Sequence, residues 1–158
     1  MDDLELRDTI DWVAIRRLQN AYADSVNRLD WDAVAALFTD DAVVRLSRGP
    51  GRDPHVVNGA SALCQLIESA LTKFDFFQFV VLNAHIELRA GGDPDVATAR
   101  VTFTELRRSI ETGERDDVVC LYEDDYQRLD GGWRFAARSF RPLGRMTQGF
   151  EVYPSPTS

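Results

Sequence analysis

Three helical patterns in the first half of the chain and four alternating segments in the second predict an α+β fold. The 158 residues suffice for one domain with a hydrophobic core of its own. Because successive alternating segments joined by short turns pair as antiparallel neighbours, the predicted sheet is mainly antiparallel, with the helices packed apart from its strands.

The first helix is predicted over about residues 9–28. Asp8 stands at the expected N-cap and Asp11 at the position of a capping-box acid. The apolar residues that follow recur at steps of three and four, which places them on one face of the helix. These residues are Trp12, Ile15, Leu18, Tyr22, Val26 and Leu29.

The next segments predict two further helices and one strand. Asp30 caps a short helix, "WDAVAALF", and "TDDAVVRLS" is typical of a turn leading into a strand. The stretch "RGPGRDPHVVNG" is rich in glycine and proline, which favours an exposed loop. A third helix is predicted for "ASALCQLIESALTKF".

Four strands are predicted after the third helix, over about 77–90, 96–110, 116–128 and 132–141. "AGGDPD" and "LDGG" predict tight turns between them, and "IETGER" a looser one. We expect residues 1–7 to form an N-terminal arm, 8–142 the domain, and 143–158 an extension whose tail, "PSPTS", is disordered.

Composition narrows the possible partners. The net charge of −8 and the pI near 4.7 argue against nucleic acid and anionic membranes, which require clustered lysine and arginine. The acidic start, "MDDLELRD", lacks a signal-peptide pattern, and no apolar run is long enough to span a membrane, so a cytoplasmic protein is expected.

Cys64 and Cys120 are isolated and are expected to be reduced thiols. No zinc-binding spacing, phosphate loop or nucleophile elbow is present, and we expect neither metal nor cofactor.

Four stretches taken together resemble the SnoaL-like family. They are "IRRLQNAYADSVNRLDWDAVAALFTDDAVV", "NG…LIESAL", a strand containing Asn83, and "YEDDYQRLDGGWRFAAR", and the resemblance spans about residues 8–142. It implies a nuclear-transport-factor-like fold, a cone-shaped α+β barrel in which a curved sheet is wrapped by three helices around an apolar pocket. The outer sheet face would then make a homodimer. Members of the family include polyketide cyclases, dehydratases, a dehydrochlorinase and isomerases, so function has to be argued from the pocket.

The resemblance implies a histidine–aspartate dyad in the dehydratase and dehydrochlorinase branch. There an acid late in the first helix orients a histidine on the strand after the third helix, and the histidine removes a proton. This chain has Asn27 at the acid position and Phe79 at the histidine position. The dyad is therefore absent by this alignment.

His85 is the obvious substitute for the missing histidine. Strict alternation along the strand places Phe79, Val81, Asn83, His85 and Glu87 on one face. Six residues of strand nevertheless separate His85 from Phe79 by roughly 20 Å. We therefore expect a histidine at the sheet rim or in an oligomer contact rather than a catalytic base.

Three carboxylates are candidate acid/base groups. Glu105 follows Ala99, Val101 and Phe103 on one face of its strand, with Arg107 beyond it, so it should lie desolvated near the mouth of the cone, unless the two form an ion pair or face water.

Asp124 falls where the resemblance places the catalytic acid of the cyclase branch, although a slip of one residue would select Asp125. The alternative is that the Tyr-x-Asp pattern at this position is structural across the family. Asp24 lies one turn before Asn27 and in a polar row with Asn20, on either a solvated face or a shifted pocket. Tyr22 belongs to the apolar stripe, and its hydroxyl could donate to a substrate carbonyl.

Two groups of side chains are assigned to structure. The aromatic residues Trp31, Phe38, Trp133 and Phe135 are expected in the core. Arg138 is expected to form a structural or interface ion pair.

Three functions remain open. The first is an enzyme that performs cofactor-free cyclisation, dehydration or isomerisation on an apolar cyclic substrate, with Glu105, Asp124 or Asp24 as acid/base and Tyr22 or Asn27 as donor. The second is a binding module whose pocket is lined by Phe79, Val44, Val101 and Phe103, with its carboxylates in solvent. The third is an assembly subunit, such as the small subunit of an oxygenase. It would expose an apolar outer face formed by Val80, Leu82, Ala84 and Ile86.

Overall fold

The computed structural model describes residues 2–130, 132–147 and 150–152, of which the last three are described by their backbone alone. Three α-helices lie within these ranges: α1 (Asp3–Asn27), α2 (Trp31–Ala35) and α3 (Ala60–Leu71). The strands are β1 (Phe38–Leu46), β2 (His55–Asn58), β3 (Phe74–Leu88), β4 (Val96–Ser109), β5 (Asp117–Leu129), β6 (Gly132–Met146) and β7 (Phe150–Val152).

The strands form one curved sheet in the order β2-β1-β6-β5-β4-β3, with β7 paired to β6. All neighbours are antiparallel except β1 and β6, which run parallel. The α+β prediction is confirmed. The sheet is open and not a closed barrel, because the path ends at β2 and β3 without pairing them. None of the described helices is both long and apolar enough to cross a membrane.

Helix α1 begins six residues earlier than predicted, at Asp3. Asp2 is its N-cap, and a capping box joins the Asp2 side chain to the Glu5 backbone and the Glu5 side chain to the Asp2 backbone. Asp8 therefore lies inside the helix, where its carboxylate accepts two hydrogen bonds from Arg89. Asp11 is not a cap either, since it accepts from the indole N–H of Trp133 at 3.1 Å.

The predicted apolar stripe of α1 is buried in its middle and exposed at its ends. Ile15, Leu18, Tyr22 and Val26 belong to the core, whereas Trp12 and Leu29 are 44% and 56% exposed. The concave face of the sheet covers the middle of the helix only. The aromatic residues Phe38, Trp133 and Phe135 are buried, as predicted, and Trp31 packs against them at the edge of the core.

The region between the first two helices and β3 follows the predicted order. The Asp30 carboxylate accepts from the backbone N–H of Ala33 and caps α2, as expected. The stretch expected to be a loop contains β2, which pairs with β1. Gly59 precedes α3 with φ of +83°, a conformation that favours glycine.

Two β-bulges change which side chains point into the cone. In β3, Val81 pairs with Phe103 and Asn83 with Thr102, so Leu82 is an extra residue. In β6, Phe135 pairs with Tyr126 and Ala137 with Asp125, so Ala136 is extra. Beyond each bulge the inward-facing positions change from odd to even numbers.

The C-terminal part of the chain continues the sheet beyond the predicted domain end. Strand β6 runs to Met146, and the three residues of β7 pair with its last three residues, Gly144 to Met146. The predicted disordered tail, 154–158, lies outside the described residues.

Candidate active site

A cavity of about 160 Å³ lies between the concave sheet face and the helices α1 and α3. Helix α3 contributes Leu63, Leu66 and Ile67 to its wall, and most of the remaining wall is aromatic or aliphatic. An engineered apolar cavity of about 150 Å³ holds one benzene molecule, so this cavity suits a single six-membered ring. A wider cleft of about 670 Å³ shares Phe74 and Arg107 with it and leads to solvent.

Glu105 places a carboxylate in this apolar wall. Its neighbour on the same strand face, Arg107, donates to Glu105 Oε2 at 3.0 Å, and Asp116 holds the other side of the guanidinium. Burial raises the pKa of Glu105, and the Arg107 charge only partly opposes the effect. Glu105 thus lies in the cavity wall, as alternation along β4 predicted, and it also forms the internal ion pair with Arg107 that was the predicted alternative.

Two tyrosine hydroxyls lie in the same cavity. Tyr22 from α1 and Tyr122 from β5 are both buried, and their oxygen atoms are 3.4 Å apart, so either can donate to the other. Burial raises the pKa of both phenols, and the negative charge of Glu105 adds to the effect. Each hydroxyl is thus a neutral donor within the electrostatic reach of the carboxylate.

Phe79 occupies the cavity wall where the resemblance places a histidine. Its ring stacks on Phe103 at 4.5 Å and meets Tyr22 edge-on at 5.6 Å. Val44 lines the cavity as predicted, but Phe103 and Val101 are buried behind the wall rather than in it.

Asn27 does not act as a free donor. Its side-chain amide donates to the Phe79 carbonyl at 3.0 Å and accepts from the Phe79 N–H at 2.7 Å. This double hydrogen bond joins the end of α1 to β3. Asn27 is absent from the residues that line the cavity, so its predicted substrate contact is not supported by the geometry.

Asp24 is not in the pocket. Its carboxylate pairs with Arg28 one helical turn later at 2.9 Å, and its side chain is 66% exposed. The polar row on α1 is therefore the solvated face of the helix, and the hypothesis that Asp24 is a shifted pocket acid is wrong.

Asp124 is buried, and its role is to hold an arginine. Its two oxygens accept from Nε and Nη2 of Arg138 at 2.7 and 2.9 Å, and the Tyr126 hydroxyl also donates to it at 2.8 Å. Both oxygens are occupied, so the position suits an anchor rather than a proton acceptor. Asp125, the alternative by one residue, points to the opposite face and is exposed.

His85 points away from the cone. The bulge at Leu82 turns Ala84 and Ile86 inward and His85 and Glu87 outward, where the imidazole lies 3.2 Å from the Glu87 carboxylate. The predicted shared face of Phe79 and His85 is therefore wrong, and His85 lies exposed on the outer sheet face, outside the cavity.

Arg138 and Tyr122 are the site residues that sequence reasoning missed. Arg138 forms the expected structural ion pair, but it also lines the cavity, because the bulge at Ala136 turns it inward. Tyr122 shares a strand face with Asp124 and Tyr126, and that alternation in "YEDDY" could have revealed it.

The described residues define an open α+β cone with a small, mostly apolar cavity whose wall includes a carboxylate, two phenols and two guanidinium groups. A SnoaL-like domain model matches residues 7–139, so the chain belongs to the SnoaL-like family. No curated protein sequence matches this one.

Solved structures share the fold. A type 2 hexachlorocyclohexane dehydrochlorinase, LinA, is 17% identical with a TM-score of 0.77, covering 96% of this chain and 97% of its own. A candidate scytalone dehydratase from Novosphingobium aromaticivorans is 21% identical with a TM-score of 0.76 and the same coverage, 96% and 97%. An NTF2-like protein with a cystatin-like fold from the same organism is 25% identical, with a TM-score of 0.72 and coverage of 90% and 92%.

Proposed function

We propose that this protein is an enzyme that performs cofactor-free acid/base chemistry on an apolar, single-ring substrate held in the cone. Glu105 removes or returns a proton at a ring carbon, and the hydroxyls of Tyr22 and Tyr122 donate to the reacting molecule. Cyclisation, dehydration and isomerisation all include such a step.

The observation that carries the proposal is the position of Glu105. It is a carboxylate whose side chain is only 19% exposed, in a wall that is mostly aromatic or aliphatic, and partial burial raises its pKa toward the range of a useful general base. Its ion pair with Arg107 keeps it in place at the mouth, where a substrate enters from the wider cleft. Two solved structures of this fold carry the names hexachlorocyclohexane dehydrochlorinase and candidate scytalone dehydratase, which denote eliminations, and this agrees with proton abstraction in the cone.

A purely binding module would have kept its carboxylates in solvent, and Glu105 does not fit that description. An assembly subunit would present a continuous apolar outer face. Ala84 and Ile86 instead turn inward after the bulge, which interrupts that face and leaves Phe76, Val80 and Leu82 as its apolar residues on β3. These observations favour the enzyme over both alternatives.

Proton exchange can test this function before the substrate is known. We expect the wild-type protein to exchange the acidic C–H protons of one or more small cyclic ketones or lactones in D₂O, as followed by proton NMR. Glu105→Gln should lower the exchange rate by roughly 10²- to 10⁴-fold, the usual contribution of a general base. Glu87→Gln is the matched control, because Glu87 is exposed on the outer face.

Two outcomes would refute the proposal that the protein is an enzyme with Glu105 as its base. One is binding of these rings with no exchange above the buffer rate, which is what a binding module would give. The other is exchange that Glu105→Gln leaves unchanged.

Two further parts of the proposal concern the whole protein. We place it in the cytoplasm, as a homodimer formed through the outer sheet face, where Phe76 and Leu82 are more than half exposed. Sedimentation of wild type and Leu82→Glu would test the dimer, and a monomeric wild type would refute it.

A further inference from the structure

Arg138 keeps one nitrogen without a partner. Its side chain is 3% exposed, and its Nε and Nη2 atoms are both used by Asp124. Nη1, on the edge away from Asp124, has no hydrogen-bond partner among the described residues, although Arg138 forms part of the cavity wall. A buried donor left unpaired is unfavourable, so we expect Nη1 to donate to a water molecule or to a ligand in the cavity.

The guanidinium is held firmly from behind and from its faces. The Gln19 amide donates to the Tyr126 hydroxyl at 2.9 Å, and Tyr126 in turn donates to Asp124. Asp124 accepts two hydrogen bonds from Arg138. The ring centres of Tyr22 and Tyr122 lie 4.4 and 3.7 Å from the guanidinium carbon. A donor fixed in advance is what stabilises an oxygen that gains charge during a reaction.

We infer that Nη1 of Arg138 binds the carbonyl oxygen of a single-ring ketone and stabilises the enolate that forms when Glu105 removes a proton. The inference rests on the proposed function and names its substrate class. The C–H bond beside the carbonyl breaks, and its proton bonds to the Glu105 carboxylate. The released electron pair forms a C=C bond, and the carbonyl π pair moves to the oxygen at Arg138, with no oxidation or reduction.

The charges of the wall favour a ketone over an anionic ligand. Each charge in or behind the wall has an opposite partner: Glu105 and Asp116 pair with Arg107, Asp116 pairs also with Arg145, and Asp124 pairs with Arg138, so the sum of these charges is zero. A carboxylate ligand would add an uncompensated charge in a poorly solvated space, which is costly. A ketone adds none, and proton transfer only moves the negative charge from Glu105 to the enolate oxygen.

The cavity size limits the ring count. About 160 Å³ is close to the volume that holds one benzene molecule, so a fused bicyclic system would have to extend into the outer cleft.

Binding of 4-nitrophenolate, an enolate mimic, tests the inference without catalysis. Glu105→Gln reproduces the uncharged carboxyl that exists after proton transfer, and this variant should bind the phenolate and lower the pKa of the bound phenol. Adding Asp124→Asn and Arg138→Met should weaken phenolate binding by roughly 10- to 100-fold, the effect of losing a hydrogen bond to a charged group.

The double replacement at Asp124 and Arg138 leaves an acceptor for Tyr126 and removes both charges together. Asp75→Asn with Arg108→Met, in the same Glu105→Gln background, is the matched control at an exposed ion pair. Arg138→Lys in that background is a second variant that keeps the charge but loses the planar fork, and it should also weaken phenolate binding. Tyr126→Phe, which removes only a positioning contact, should have a smaller effect in the same direction.

Unchanged phenolate affinity in the Arg138 variants would overturn the inference, because Arg107 or the tyrosines would then hold the oxygen. Such a result would leave Glu105-dependent proton exchange, and hence the proposed function, intact. Conversely, Arg138-dependent phenolate binding without any proton exchange would refute the catalysis and retain the oxygen site.

Discussion

Replacing Asp124 with alanine should cost about 3–5 kcal/mol of the free energy of unfolding, the usual cost of breaking a buried ion pair from one side. The Asp124 side chain is fully buried and that of Arg138 is 3% exposed, so water cannot compensate the arginine that remains. The Tyr126 hydroxyl would lose its acceptor as well. Since domains of this size are stable by about 5–15 kcal/mol, the loss is a large share of the total.

Urea unfolding followed by tryptophan fluorescence measures this loss, with the midpoint converted through the slope of the transition. Asp75→Ala, at the exposed pair with Arg108, is the control and should leave the midpoint nearly unchanged. The double variant Asp124→Asn with Arg138→Met should lose less stability than Asp124→Ala, because it leaves no unpaired charge. A loss below about 1 kcal/mol for Asp124→Ala would refute the reasoning that this pair is an essential buried anchor.

Two further predictions concern side chains outside the proton-transfer groups. Asn27→Ala removes two hydrogen bonds to the Phe79 backbone and should lower the free energy of unfolding by about 2 kcal/mol in urea titrations, whereas exposed Asn20→Ala should change little. If Asn27→Ala and Asn20→Ala lowered the free energy of unfolding equally, the hydrogen bonds between α1 and β3 would not contribute as proposed. Cys64 and Cys120 are free and buried, and burial raises the pKa of both thiols, so a thiol reagent should react with neither in native protein and with both in urea. Rapid reaction of native Cys120 would contradict its placement in the core.

Regular periodicity made most of the fold predictable. The steps of three and four in α1 identified its buried middle, and alternation in β4 identified Glu105 as an inward-facing carboxylate. The Asp30 cap was predictable because the cap and its helix are adjacent in sequence. These features depend on neighbours within a few residues.

The errors came from features that adjacent residues do not encode. The bulges at Leu82 and Ala136 are set by pairing with β4 and β5, and each reverses the inward face for the residues that follow it, to the end of β3 in one case and to the next register shift of β6 in the other. One bulge moved His85 outside, and the other brought Arg138 inside. The partner of Asp124 could not be assigned for a similar reason, since Arg138 lies on the next strand.

The central claim is that Glu105, with a pKa raised by burial, is the base of a proton-transfer site. The most direct test is the pH dependence of C–H exchange on a cyclic ketone, compared between wild type and Glu105→Gln. Because only the ionised carboxylate accepts a proton, the wild-type rate should rise with pH through a midpoint above 4.5, the ordinary value for glutamate, and the variant should lack this rise. A wild-type rate with no such rise, or the same rise in Glu105→Gln, would contradict the account.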